Sequence, residues 1–184
     1  MHDGVPTEAS WREHLLQVSG LSAAAETDPP AAAMRSAGSE GFDVACWKAA
    51  ALGGAAPTGM DRSGDGALHA WDGQQAIEVW TEIELAAMHA LWRLARRNAD
   101  AGLRERLHRA VRWHLEHTQP DNATNRPWAL HVFLREGSAE ARHYAATLLH
   151  NAQALEARPG PLSCWILMDA ACELSHSFGV PAAG

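Results

Sequence analysis

The sequence predicts an all-α fold: an antiparallel array of two to three αα-hairpins behind an irregular N-terminal third. Three observations carry this. From residue 76 to about 178 apolar residues recur at helical spacing, broken only by short polar connections. The breaks carry helix punctuation, such as Ser138 before one segment and Gly137 after another. Similar segments also return at a near-constant offset. Trp128-Ala129-Leu130 is echoed by Trp165-Ile166-Leu167, 37 residues on, and His114 by His150, 36 residues on.

The elements follow in order. Residues 8 to 19 form a first helix, with Ser10 and Glu13 as a capping box, Trp11, Leu15 and Val18 on one face, and Gly20 as its stop. Residues 21 to 41 are rich in Ala, Pro, Ser and Gly and read as a linker or loose loop. "FDVACWKAAAL" (42 to 52) is a short helix with Phe42, Ala45, Cys46 and Ala49 inward, stopped by "GGAAPTG". Thr81 and Glu84 look like a second capping box, opening a helix over 82 to 98. "GLRERLHRAVRWHLEHT" places Leu103, Leu107, Ala110, Val111 and His114 on one face. Pro127 suits the start of a short helix closed by Gly137. Ser138 caps the next, with Ala141, Tyr144, Leu148, Ala152 and Leu155 inward. Leu162 to about His176 is apolar nearly all round at its centre and reads as a buried helix. The division is thus residues 1–75, irregular, and 76–184, helical hairpins, within one compact domain.

Composition narrows the function. A 47% hydrophobic share supports a core, with eight Trp as its main aromatic filler. A net charge of −7 argues against nucleic-acid binding, which needs a basic surface. Fourteen Arg stand against the single Lys48, a bias that reads as background composition. Seven of those Arg lie between Arg93 and Arg112, read as a solvated helix pair, with an acidic protein partner or a phosphate group as the alternative. Three Cys (46, 164 and 172) make no disulfide framework. "MHDGVPTEASWREHLL" has neither a basic start nor an apolar signal core, and "CWILM" is too short to span a bilayer. The expectation is a cytoplasmic protein that binds neither membrane nor nucleic acid.

"DGQQAIEVWTEIELAAMHALW" and "QPDNATNRPWALHVFL" resemble the loop-then-inner-helix units of α/α toroids such as terpenoid cyclases and protein prenyltransferases. A closed toroid needs about six hairpins, against room here for about three, and the aspartate-rich catalytic motif is absent. The resemblance therefore implies architecture rather than activity.

Four groups of residues could carry chemistry. "DRSGDGALHAWD" (61 to 72) places Asp61, Ser63, Asp65 and Asp72 as oxygen ligands of a twelve-residue calcium loop, with Gly66 at the turn and the Ala67 carbonyl as a further ligand. Its competitor is a polar turn, or a small hairpin about Asp72-Gly73. Glu-x-x-His occurs at 105/108, 140/143 and 173/176, the ligand spacing of di-iron bundles. The first two pairs begin their helices, where the dipole favours a solvated Glu. "HLEH" offers His114 and His117 to zinc if another His, such as His89, His131, His143 or His150, completes the set. Finally, Asp169 interrupts "CWILMDAAC". Buried, it is a catalytic candidate with His131 or His114; otherwise Asp169, Glu173 and His176 form the helix's wet edge. No catalytic set is complete, so the leading expectation is a non-catalytic scaffold or partner-binding module. The alternatives are an enzyme with a site between helices and a metal-binding protein.

Overall fold

The structure, a computed structural model, describes residues 7–21, 28, 41–61, 64–71, 73–118, 126–155 and 159–176. Among them are seven helices and no strand: α1 (Glu8–Ser19), α2 (Phe42–Leu52), α3 (Ile77–Arg97), α4 (Ala101–His117), α5 (Leu130–Glu136), α6 (Ala139–Leu155) and α7 (Pro161–Ser175). The fold is all-α, and no helix among the described residues is long and apolar enough to cross a membrane.

Local chemistry sets most boundaries. Thr7, rather than Ser10, caps α1, its hydroxyl accepting from the Ser10 N–H at 3.2 Å. Gly20, at φ 76°, closes it in the left-handed conformation that glycine adopts without strain. Asp100 caps α4 through the Leu103 N–H at 2.9 Å, and Ser138 caps α6 through the Ala141 N–H at 3.1 Å. Pro161 opens α7, where its missing N–H costs nothing.

The second capping box does not form. Helix α3 starts at Ile77, so Thr81 is interior, and its hydroxyl donates back to the Ile77 carbonyl. Glu84 is fully buried and reaches a distant loop instead. Nor is there a β-hairpin among the described residues around Gly73.

Helix α3 is the axis of the molecule. Thirteen of its 21 residues are buried, and it packs against α2, α4 and α5. Short links at 98–100 and 137–138 join α3 to α4 and α5 to α6, and each joined pair is in contact. Helix α5 is only seven residues long and cannot stand alone. It is held because Leu130 to Leu134 are all buried among α3, α4, α6 and α7. Helix α7 packs on α1 and α5, so the N-terminal third joins the same core through α1 and α2.

In α2 the inward face is turned from the expected one. Asp43, Val44, Cys46, Trp47 and Ala50 are buried, whereas Phe42, Ala45 and Ala49 are half-buried. Trp47 fills the centre, with its ring 5.8 Å from Trp128 and 5.4 Å from Trp165. The two echoed tryptophans thus share one neighbour. Trp128 precedes its helix, while Trp165 lies inside α7. Leu155, expected inward, is 61% exposed.

Candidate functional site

Two regions collect the polar chemistry: a closed centre between α3, α5 and α7, and a cleft where the 61–71 loop meets α4.

The closed centre begins with His89 on α3. Its Nδ1 accepts from the Ala129 N–H at 3.2 Å, so its proton sits on Nε2, which donates to Asp169 Oδ2 at 2.9 Å. Burial lowers the His89 pKa against the pull of Asp169, consistent with this neutral form. Ala129 holds its N–H in place from a left-handed φ of 55°, a conformation disfavoured for alanine. The other oxygen of Asp169 accepts from Arg93, whose guanidinium lies 6.0 Å from the Trp165 ring centre. One turn along, Arg96 Nε donates to Glu173 Oε1 at 2.9 Å. Burial raises the Glu173 pKa to about 7, with Arg96 opposing it. His131 lies 4.4 Å from the His89 ring, fully buried, and neither of its nitrogens has a hydrogen-bond partner among the described residues. Burial, then the neighbouring His89 and three arginines, hold its pKa well below the ordinary value.

Asp169 and Glu173 are each 1% exposed, so the wet-edge reading of α7 fails. The reason is positional. Arg93 and Arg96 on α3 bring guanidinium groups to both carboxylates, which makes their burial tolerable. Of the candidate catalytic residues, the structure brings Asp169 and His131 together around His89. It places His114 in a separate group, with Nδ1 3.1 Å from Thr118 Oγ1 and Nε2 3.7 Å from Glu84.

The cleft is built on a pinned loop. Glu84, from α3, accepts from the backbone N–H groups of Leu68 and His69, the latter at 3.1 Å. Arg106, from α4, donates to the carbonyls of Asp61 and Ala67, the latter at 2.8 Å. Arg109 pairs with Asp65 at 3.0 Å. Asp61 accepts from the Gly64 N–H at 2.8 Å through its carboxylate, and its own N–H donates to the Leu68 carbonyl at 3.2 Å. Three oxygens of the calcium register, from Asp61, Asp65 and Ala67, are therefore engaged by protein donors. Ser63 and Asp72, the other two candidates, lie outside the described residues. Among the described residues no group of three or more His, Cys, Asp or Glu is arranged to hold a metal ion.

The pinned loop leaves two adjoining cavities against α4. One, of about 550 Å³, is lined by Asp61, Trp71, Ile77, Trp80, Trp113 and Thr118, among others. The other, of about 600 Å³, adds Asp65, Arg109, Arg112 and Glu116; Gly66, Trp113 and His117 line both. Trp80 and Trp113 stand 6.0 Å apart at 77°, forming a corner. His117 stacks on Trp113 at 4.8 Å, and its Nδ1 donates to the Trp113 carbonyl at 2.9 Å. A neutral ring so oriented presents Nε2 as an acceptor. Trp71 is 50% exposed. None of the residues of the closed centre lines either cavity.

The arginine-rich segment is turned inward more than expected. Arg106 is fully buried, Arg93 and Arg96 pair with α7, and Arg97 donates to the Ala50 and Ala51 carbonyls at the end of α2. The Glu-x-x-His pairs also divide. Glu105 is exposed and faces Arg109 and Arg112, Glu140 is exposed, and Glu173 is buried on Arg96. Sequence reasoning missed Arg93, Arg96, Arg106 and Glu84. The available signal was a matched ladder: charged residues at 93 and 96 on one apolar helix, and at 169 and 173 on another.

No family model, curated protein or solved structure matches this chain.

Proposed function

We propose that this protein is a non-catalytic binding module whose ligand sits in the cleft between the 61–71 loop and α4. The observation that carries the reading is the cleft's wall: half-exposed Trp71 beside Trp80, Trp113 and His117, on a loop fixed by Glu84 and Arg106. A large aromatic left half in water, opposite two more on a rigid frame, is the usual make-up of a recognition surface. An enzyme working from Asp169, His131 or His114 has less support. The first two are buried, at 1% and 0% exposed, beside His89, whose ring packs against Trp47, Trp128 and Trp165 and whose two nitrogens are both engaged.

The test is a fragment screen followed on the indole N–H resonances of the uniformly labelled protein. Ligands that shift Trp71, Trp80 and Trp113 in the wild type, and lose affinity in Trp71→Ala at unchanged melting temperature, support the reading. Hits that move only the Trp47 and Trp165 signals return the function to the buried centre.

A further inference from the structure

Resting on that reading, we infer that the cleft takes a methylated, quaternary ammonium head group carried by a small molecule. The 550 Å³ cavity has three indoles in its wall, two of them meeting at 77°. Indole faces attract a cation through their quadrupole, most strongly when water is excluded. Asp61, exposed at the same cavity and holding the Gly64 N–H through one carboxylate oxygen, adds a negative charge that an apolar ligand would not need. Ile77, Ala67 and Ala70 complete an apolar wall suited to methyl groups.

The alternatives fit less well. A primary ammonium carries three N–H donors and needs acceptors for them. Asp61, with one carboxylate oxygen on the Gly64 N–H, and His117 through Nε2 can take two of them, but the Thr118 hydroxyl, the third such side chain in the wall, already bonds the His114 carbonyl at 2.9 Å and the Tyr144 hydroxyl at 2.9 Å. A methylated head needs no acceptor. An anion would look to Arg109 and Arg112 in the adjoining cavity, but these face Asp65 at 3.0 Å and Glu105 at 3.6 Å. The volume leaves room for the head and part of the chain that bears it.

The experiment titrates tetramethylammonium and choline, and beside them 3,3-dimethylbutan-1-ol, the uncharged isostere of choline, reading the same indole resonances. Choline is expected to shift Trp71, Trp80 and Trp113, with the isostere roughly tenfold weaker. Trp71→Phe should weaken choline several-fold and Trp71→Ala abolish its binding. Asp61→Asn should narrow the gap between choline and the isostere. Co-sedimentation with phosphatidylcholine vesicles separates the sources. No sedimentation makes the ligand a free compound, and sedimentation lost in Trp71→Ala makes it a lipid head; both keep the ammonium assignment. Equal affinity for choline and its isostere overturns the assignment but leaves the binding cleft standing. If neither binds, and no fragment from the screen moves these three indoles, the cleft reading fails as well.

Discussion

Glu173→Gln should change how stability depends on pH, and the structure sets both sign and size. Burial raises the pKa of Glu173 from an ordinary 4.5 to about 7, while Arg96 at 2.9 Å pulls the other way. The folded state therefore holds this proton more tightly than the unfolded chain. Its contribution is complete below pH 4.5 and is lost as pH rises towards 7. A rise of that size corresponds to about 3 kcal/mol, an order-of-magnitude figure. Glutamine cannot ionise and keeps an oxygen for Arg96. The assay is urea unfolding, followed by tryptophan fluorescence, at steps between pH 4.5 and 8. The raw curve mixes opposing effects. His89, His108 and His131 are pushed down by burial, so their contributions are present above pH 6.5 and fade as pH falls below it. The difference between wild type and Glu173→Gln removes these and isolates residue 173. It should shift by about 3 kcal/mol across the window, against the wild type at the alkaline end. A difference curve flat to within about 0.5 kcal/mol would refute the burial argument.

Three further outcomes follow from the geometry. Arg106→Met leaves the Asp61 and Ala67 carbonyls without their charged donor and should cost about 2–4 kcal/mol in chemical denaturation. A cost below about 1 kcal/mol would mean that Glu84 holds the loop unaided. His131→Leu replaces a buried ring with no hydrogen-bond partner among the described residues, so stability at pH 7 should hold or rise by about 1–2 kcal/mol and the acid limb below pH 6.5 should flatten. Destabilisation beyond about 2 kcal/mol would point to a partner for His131 that the geometry does not reveal. Millimolar calcium should move the melting temperature by no more than about 1 °C, because Arg106 and Arg109 already occupy the Ala67 and Asp65 oxygens. A rise of several degrees, absent in Asp61→Ala, would restore the loop as a metal site.

The helices were legible wherever one local rule decided them. Residues 8 to 19 follow from apolar spacing and Gly20, and in α4 all five residues expected inward are buried. The misreadings fall where a side chain answers to a distant element. Glu84 stands three residues after Thr81 and looks like half of a capping box. Its carboxylate instead serves backbone N–H groups 15 and 16 residues away. Asp169 looked like a solvated edge because periodicity records only its own helix, and the guanidinium that makes its burial tolerable comes from α3.

Arginine was the hardest residue to read, for a physical reason. Its stem is long enough to lie on an apolar surface while its head goes either to water or to a carbonyl, and spacing cannot tell which. Here the head repeatedly goes to carbonyls. Arg97 takes two at the end of α2, Arg106 two in the loop, and Arg135 those of Glu173, Leu174 and His176 at the end of α7. A guanidinium has five donors in a rigid fork, so one residue can close several orphan acceptors. Arg97 and Arg135 reach their carbonyls through one nitrogen each, whereas Arg106 uses two, Nε and Nη2, a spread that the compact ammonium of Lys does not offer. The excess of Arg over Lys, which composition alone presents as background, therefore carries structural weight. It closes carbonyls at the ends of α2 and α7, and through Arg106 it fixes the loop on which the tryptophan cleft stands. Architecture and candidate site thus depend on one device, which predicts that Arg→Lys at 106 loosens the cleft without changing the charge.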